Sequence, residues 1–186
     1  LAAQVGGVRA VAPSQGAGAT AVYGGRNWGT QVTGSTLDYF ITNNRRVASG
    51  RVFTDTEERA GASVCLIGTT LQRELFGQQD PIGTQLRVRQ LSCQVIGVLA
   101  SKGQAAMGAD QDDLIVMPLH TVQRRITGNQ NVSTLLVSVR DEADPVLVTA
   151  SIRQVLRERR KLSDGDEDNF SIIDTRQIAE TMSGTT

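Results

Sequence analysis

Three groups of side chains in this sequence could do chemistry. The first is Asp110-Gln111-Asp112-Asp113, where three carboxylates crowd just ahead of the apolar run Leu114-Ile115-Val116-Met117. Clustered carboxylates suit hard divalent cations, and a divalent-metal hydrolase built on this turn is one reading. Such a site needs about six oxygens from a shaped loop, and no neighbouring Glu or His completes the set. Capping a turn and keeping a sheet edge soluble explains the same residues. The second group, Asp164-Gly165-Asp166-Glu167-Asp168, has the alternating acids that open an EF-hand loop. Asn169 stands where that loop requires glycine, and Thr175 where it requires glutamate, which rules the motif out. These acids instead offset Arg157, Arg159, Arg160 and Lys161 at the end of the preceding helix, where cations also suit the helix dipole.

The third group is Cys65 and Cys93, each in an apolar run without a basic partner to activate a thiolate. They read as buried free thiols, and a bridge would require Cα atoms within about 7 Å. His120 is the only histidine, so a two-histidine metal site is excluded. There is no GxSxG to seat a nucleophile, and neither GxxxxGK[ST] nor GxGxxG to cradle nucleotide phosphates. The expectation is a domain with no catalytic group, no bound metal and no cofactor.

Bulk properties narrow the partners. The 186 residues can bury a real core, in one domain or two small ones. Lys plus Arg and Asp plus Glu both number 19, so no net field recruits nucleic acid or an anionic membrane. Aromatics at 4% are too few for base stacking. No apolar run approaches the roughly 20 residues that span a bilayer. Leu1 is not an initiator methionine and no signal sequence follows it, so the chain reads as part of something larger.

The elements that must position these groups are organised around Cys93–Gly128. Cys93 to Leu99 predicts a buried strand, Ser101 to Ala109 a glycine-bearing exposed loop, and Asp110 to Asp113 an acidic turn. Leu114 to Met117 predicts a second strand, and Pro118 to Gly128 brackets a helix whose Leu119, Val122 and Ile126 share a face. Upstream, Gly6-Gly7 stops a helix and Val8 to Ala12 is a strand ended by Pro13. Ser14 to Ala19 reads as a small, flexible tract. Ala21 to Tyr23 and Gln31 to Thr33 are strands around the turn Gly24-Gly25-Arg26-Asn27. Trp28 follows that turn, as a hydrophobic plug over the sheet edge or, alternatively, a ligand-stacking residue.

A basic surface turn precedes Gly50 to Phe53, and Thr54 to Arg59 is a polar turn with little periodicity. Val64 to Ile67 predicts a buried strand and Thr70 to Phe76 a helix closed by Gly77. Asp80-Pro81-Ile82-Gly83 predicts a type I turn, and Leu86 to Arg89 a half-exposed strand. Thr134 to Arg140 is a strand, Asp144-Pro145 caps a helix with the stripe Val148, Ile152, Val155 and Leu156, and Phe170 to Ile173 is a closing strand. No fixed-period repeat is present.

The spaced motifs Gly34-Ser35-Thr36-Leu37-Asp38-Tyr39-Phe40, Gly50-Arg51-Val52-Phe53, Val64-Cys65-Leu66-Ile67-Gly68, Leu75-Phe76-Gly77, Asp80-Pro81-Ile82-Gly83 and Val95-Ile96-Gly97-Val98 resemble, in order, the MacB-type periplasmic core domain. Asp110 to Asp113, Pro118 to Gly128, Leu156-Arg157 and Asn169-Phe170 continue the pattern. The resemblance covers nearly the whole chain. It implies an α+β fold of two lobes, a porter-like lobe of βαβ units from residues 1–38 and 114–186, and a small β-rich Sabre-like insert over residues 39–113. The first strand and most of the first helix of the porter lobe are expected to be missing.

By the same resemblance, the chain would be the extracytoplasmic domain of an ABC transporter permease, non-catalytic itself and coupled to ATP hydrolysis elsewhere. Implied partners are a periplasmic adaptor, an outer-membrane duct, and the ATPase and transmembrane parts of the same transporter. The isolated domain is expected to be a monomer and the full transporter a homodimer. Implied cargo is macrolides, peptides or toxins, and lipoprotein-release and cell-division relatives are the alternative. The exposed partner-contact candidates are Trp28 on the first turn, Lys102 and Gln104 on the loop, and Asp110 and Asp112 on the acidic turn.

Overall fold

The structure, a computed structural model, describes residues 6–102, 110–130, 132, 134–140 and 142–159. Along the chain lie β1 (Val8–Tyr23), β2 (Arg26–Ser35), α1 (Asp38–Thr42), β3 (Val47–Gly50), α2 (Asp55–Ala60), β4 (Val64–Ile67) and α3 (Thr69–Phe76). They are followed by β5 (Gln85–Val88), β6 (Leu91–Leu99), β7 (Ile115–Pro118), α4 (Leu119–Val122), β8 (Thr134–Val139) and α5 (Pro145–Arg159). The fold is α+β, as expected. The strand expected at Phe170–Ile173, the acids Asp164–Asp168 and the residues before Gly6 lie outside the described residues.

Contacts divide the described residues into two compact units, one within Ala12–Leu136 and the other made of those before Ala12 and after Leu136. In the larger unit β7 lies parallel to β2, with Val32 opposite Ile115, and antiparallel to β4, with Leu66 opposite Val116.

Within the larger unit the strand order is β2-β7-β4-β6-β5-β1, with β3 on β6 and β1 also pairing β2. Apolar side chains on β4 and β7 alternate between two cores. Cys65, Ile67, Ile115 and Met117 join Leu71, Leu75 and Phe76 of α3 and Val122 of α4 on one face. Val64, Leu66, Leu114 and Val116 join Tyr39 of α1 and Phe53 on the other. A strand covered on both sides needs apolar residues at every position, which is why both read as continuous apolar runs. In the smaller unit Val8, Val148 and Ile152 form a core, with Val11, Val137, Val139 and Val155 packed around it. The Asp144 carboxylate accepts from Val146 N–H at 2.9 Å, capping α5 as expected.

Three local expectations are corrected. The tract Ser14 to Ala19 is not a flexible break, and Pro13 does not end the strand. β1 runs for 16 residues, and Gln15 through Tyr23 pair residue by residue with β2 around a tight Gly24-Gly25 turn with φ +59 at Gly24. Pro13 precedes the first β2 partner, so that ladder never calls on its missing N–H, and Ser35 Oγ donates to its carbonyl at 2.9 Å. Thr54 to Arg59 is not a turn: α2 opens on a capping box in which Glu57 N–H donates to Thr54 Oγ1 at 3.1 Å and Thr54 N–H to Glu57 Oε1 at 2.8 Å. The helix expected over Pro118 to Gly128 has Pro118 as its N-cap rather than in its first turn, and it loosens after Val122 into a π-helical turn, Gln123–Thr127. Gly128, at φ +74, closes it as expected.

Candidate functional site

The described segment nearest to a site is the base of the loop between β6 and β7. β6 delivers Ser101 and Lys102 to one side of it, and the acidic turn returns the chain to β7. Residues 103–109, including the candidate Gln104, lie outside the described residues.

Asp112 ties the two ends together. Its Oδ2 accepts from Ser101 Oγ at 2.7 Å and its Oδ1 from the Lys102 backbone N–H at 2.8 Å. Beneath it, Arg45 places Nη1 3.7 Å from Asp112 Oδ1, with the two side chains 5% and 7% exposed. The Arg45 guanidinium also donates to the Gln111 carbonyl. Asp112 is thus a buried counter-charge, and the expectation that it stands exposed for a partner is corrected. Arg45 was expected on a basic surface turn and is buried as well, whereas Arg46 beside it is exposed. Each charge answers the other, which is what makes burial of either tolerable.

Asp110, which is exposed, accepts from Asp112 N–H at 2.9 Å and from Thr70 Oγ1 at 2.7 Å. The Asp112 carbonyl accepts from Thr70 N–H at 3.2 Å, so the acidic turn sits on the N-terminal end of α3, where unpaired amides and the dipole favour negative charge. Asp113 faces the β1–β2 hairpin, and its Oδ1 accepts from Trp28 Nε1 at 3.1 Å and from Thr30 Oγ1 at 2.7 Å. Trp28 is half-buried against the apolar core with its indole N–H engaged, which agrees with the plug reading while leaving part of the ring in solvent.

Lys102 is exposed and its ammonium donates to the Asn43 carbonyl at the end of α1. Partial burial pushes its pKa down, the Arg45 charge adds to that, and Asp112 opposes it. Burial also raises the Tyr39 hydroxyl on α1, with Arg45 offsetting part of the shift.

The structure therefore brings Lys102, Asp110 and Asp112 together at one loop base and places Trp28 beside Asp113 on the hairpin side. Sequence reasoning missed Arg45, Ser101, Thr70 and Thr30. A basic residue matching an acidic cluster is a signal of a kind, but nothing local links Arg45 to a turn so far along the chain. Each acid in the turn has a structural partner: Asp110 bonds the turn and Thr70, Asp112 faces Arg45 and holds Ser101 and Lys102, and Asp113 holds Trp28 and Thr30. Among the described residues, no group of three His, Cys, Asp or Glu side chains converges to hold a metal, and no helix is long and apolar enough to cross a membrane.

The sequence model of a family described as "MacB-like periplasmic core domain" matches residues 1–155. The macrolide export ATP-binding/permease protein MacB of Bdellovibrio bacteriovorus is 36% identical over 98% of this chain and 28% of its own length. Its namesake from Chlorobaculum tepidum is 34% identical over 89% of this chain and 25% of its own length. The chain thus spans about a quarter of the curated relatives it matches. Among solved structures, the periplasmic region of MacB from Actinobacillus actinomycetemcomitans superimposes with a TM-score of 0.80 at 20% identity, over 99% of this chain and 80% of that one. The extracellular domain of the noncanonic ABC-type transporter YknZ from Gram-positive bacteria gives a TM-score of 0.72 at 20% identity, over 86% of this chain and 80% of that one. At those identities the likeness speaks for the fold.

Proposed function

The chain belongs to the MacB-like periplasmic core domain family, and from that premise we propose that it works as the extracytoplasmic domain of an ABC transporter permease. It is a mechanical and docking module, held at the outer face of the cell membrane by the rest of the transporter. ATP hydrolysis elsewhere drives it, and it has no chemistry of its own. The observation that carries this reading is the family match over residues 1–155. The acidic turn supports it, because its carboxylates are committed to hydrogen bonds and an ion pair that stiffen the loop base. Connections carried on a rigid scaffold are a common form for a contact surface.

In this reading Trp28, Lys102 and Asp110 flank the surface that meets a periplasmic adaptor, and an outer-membrane duct completes the exporter in Gram-negative cells. Macrolides, peptides or toxins are the cargo. The isolated domain is monomeric and binds the adaptor poorly, while two copies in a dimeric transporter engage it well, because linked sites raise the effective concentration.

The test is the intact parent transporter with residues 103–109 replaced by a short glycine-serine linker. Export and adaptor capture should fall while basal ATP hydrolysis stays intact. Wild-type levels of both capture and export would refute the docking assignment.

A further inference from the structure

We propose that Cys65 and Cys93 close an intramolecular disulfide as this domain folds in an oxidising environment. The two thiols are not the independent buried groups that the sequence suggests. They belong to adjacent parallel strands, and Cys65 lies opposite Val95, so Cys93 approaches it diagonally across the ladder. Both residues are 0% exposed and their Sγ atoms are 3.0 Å apart. A disulfide bond is about 2.05 Å long, so roughly 1 Å of approach completes it. The β4–β6 ladder shifts register directly after Cys65, an irregularity that gives the strand room to adjust.

The pair sits in the apolar core, and the sulfurs' hydrogen-bond partners among the described residues are each other and two backbone carbonyls, Leu86 O at 3.4 Å from Cys93 Sγ and Gln94 O at 3.7 Å from Cys65 Sγ. No convergent metal-ligating group of three includes them among the described residues.

The oxidant is a protein or small-molecule disulfide. The thiolate of one cysteine attacks a sulfur of that disulfide and expels one thiol. The second cysteine, as thiolate, then attacks the mixed disulfide and expels the other. The domain loses two protons and two electrons, and the incoming disulfide is reduced to two thiols. Timing follows from burial. In the finished sheet the sulfurs are sealed from any oxidant, and burial holds the Cys65 thiol protonated, with its neighbour Cys93 adding to the effect. Exchange therefore takes place before β6 docks on β4. The bridge then ties those strands across the excursion through α3 and β5 and restricts the unfolded chain.

The test is refolding of the reduced chain in a glutathione redox buffer, followed by alkylation after denaturation. The expected product is a monomer about 2 Da lighter than the reduced chain that takes up no alkyl group, the hydrogens having left with the two thiols. Its thermal midpoint should lie about 5–10 °C above that of the same chain held in reductant. Cys65→Ala and Cys93→Ala should each leave one alkylatable thiol and lose the redox-dependent shift. If neither variant folds, the alkylation count on the wild-type chain decides alone. Two alkylated cysteines per chain, or bridges found only between chains, would overturn the proposal. The experiment does not depend on where the parent protein resides, so its failure would leave the transporter reading untouched.

Discussion

Gly68 and Asp112 meet backbone to backbone: a Cβ on Gly68 would overlap the Asp112 carbonyl oxygen and come within 3.0 Å of Leu114 Cδ2. The contact lets Gly68 N–H donate to the Leu114 carbonyl at 3.0 Å and Thr70 N–H to the Asp112 carbonyl at 3.2 Å, so the acidic turn and α3 hold each other. Gly68→Ala has nowhere to put its methyl group except by prising the turn away. It should lower stability by about 2–3 kcal/mol in a denaturant titration with an unchanged slope. A loss below about 0.5 kcal/mol, the range of neutral surface substitutions, would show that the turn is looser than described.

The Arg45–Asp112 pair predicts a sign reversal. Asp112→Asn leaves a buried guanidinium facing a neutral amide and should cost about 3 kcal/mol. Adding Arg45→Met should recover part of that loss, because the double variant buries no charge. Additive losses in the double-mutant cycle would mean that the two side chains do not depend on each other.

Glu57 should make the domain sensitive to acid. Its carboxyl is held below the ordinary value of 4.5, first by the hydrogen bond from Arg51 and then, against the opposing effect of burial, by the Thr54 amide. A carboxyl with a lowered folded pKa adds stability above its unfolded pKa and loses it as pH falls through the folded one. Stability of the wild type should therefore drop more steeply than that of Glu57→Gln between about pH 6 and pH 3. Parallel curves would remove Glu57 from the account. Thr54→Ala, which breaks the other half of the box, should cost about 1 kcal/mol at neutral pH.

The α2 cap shows how legibility varied along the chain. Thr54-Asp55-Thr56-Glu57 carries a capping box in plain view, yet without an apolar stripe behind it the segment read as a turn. β4, β7, the α5 cap and the turn at Asp80, where Ile82 N–H donates to Asp80 Oδ1 at 3.0 Å, were legible because each is decided within a few residues. The length of β1 was not, since Ser14 to Ala19 has almost no strand propensity of its own and is held extended by main-chain pairing to β2. The loop base was half legible. The acids announced a turn, but Arg45, Thr70 and Trp28, which decide what each carboxylate does, come from remote parts of the chain.

Trp28 is the only tryptophan, so its emission reports on the hairpin alone. Asp113→Ala removes the acceptor for its indole N–H and for Thr30, and should shift the emission to longer wavelength while far-ultraviolet dichroism stays unchanged. An emission maximum unmoved by Asp113→Ala would mean that the indole does not depend on that carboxylate.

The knot that Asp112 ties between Ser101, Lys102 and Arg45 has an engineering consequence. Because both ends of the intervening segment are fastened to the scaffold at one carboxylate, the length of what runs between them is decoupled from the fold. Closing a longer loop across fixed ends adds only about 0.6 kcal/mol for each doubling. The segment between Lys102 and Asp110 is thus a natural graft point. An epitope, a cysteine for a fluorophore or a small reporter domain placed there would ride on an anchored socket.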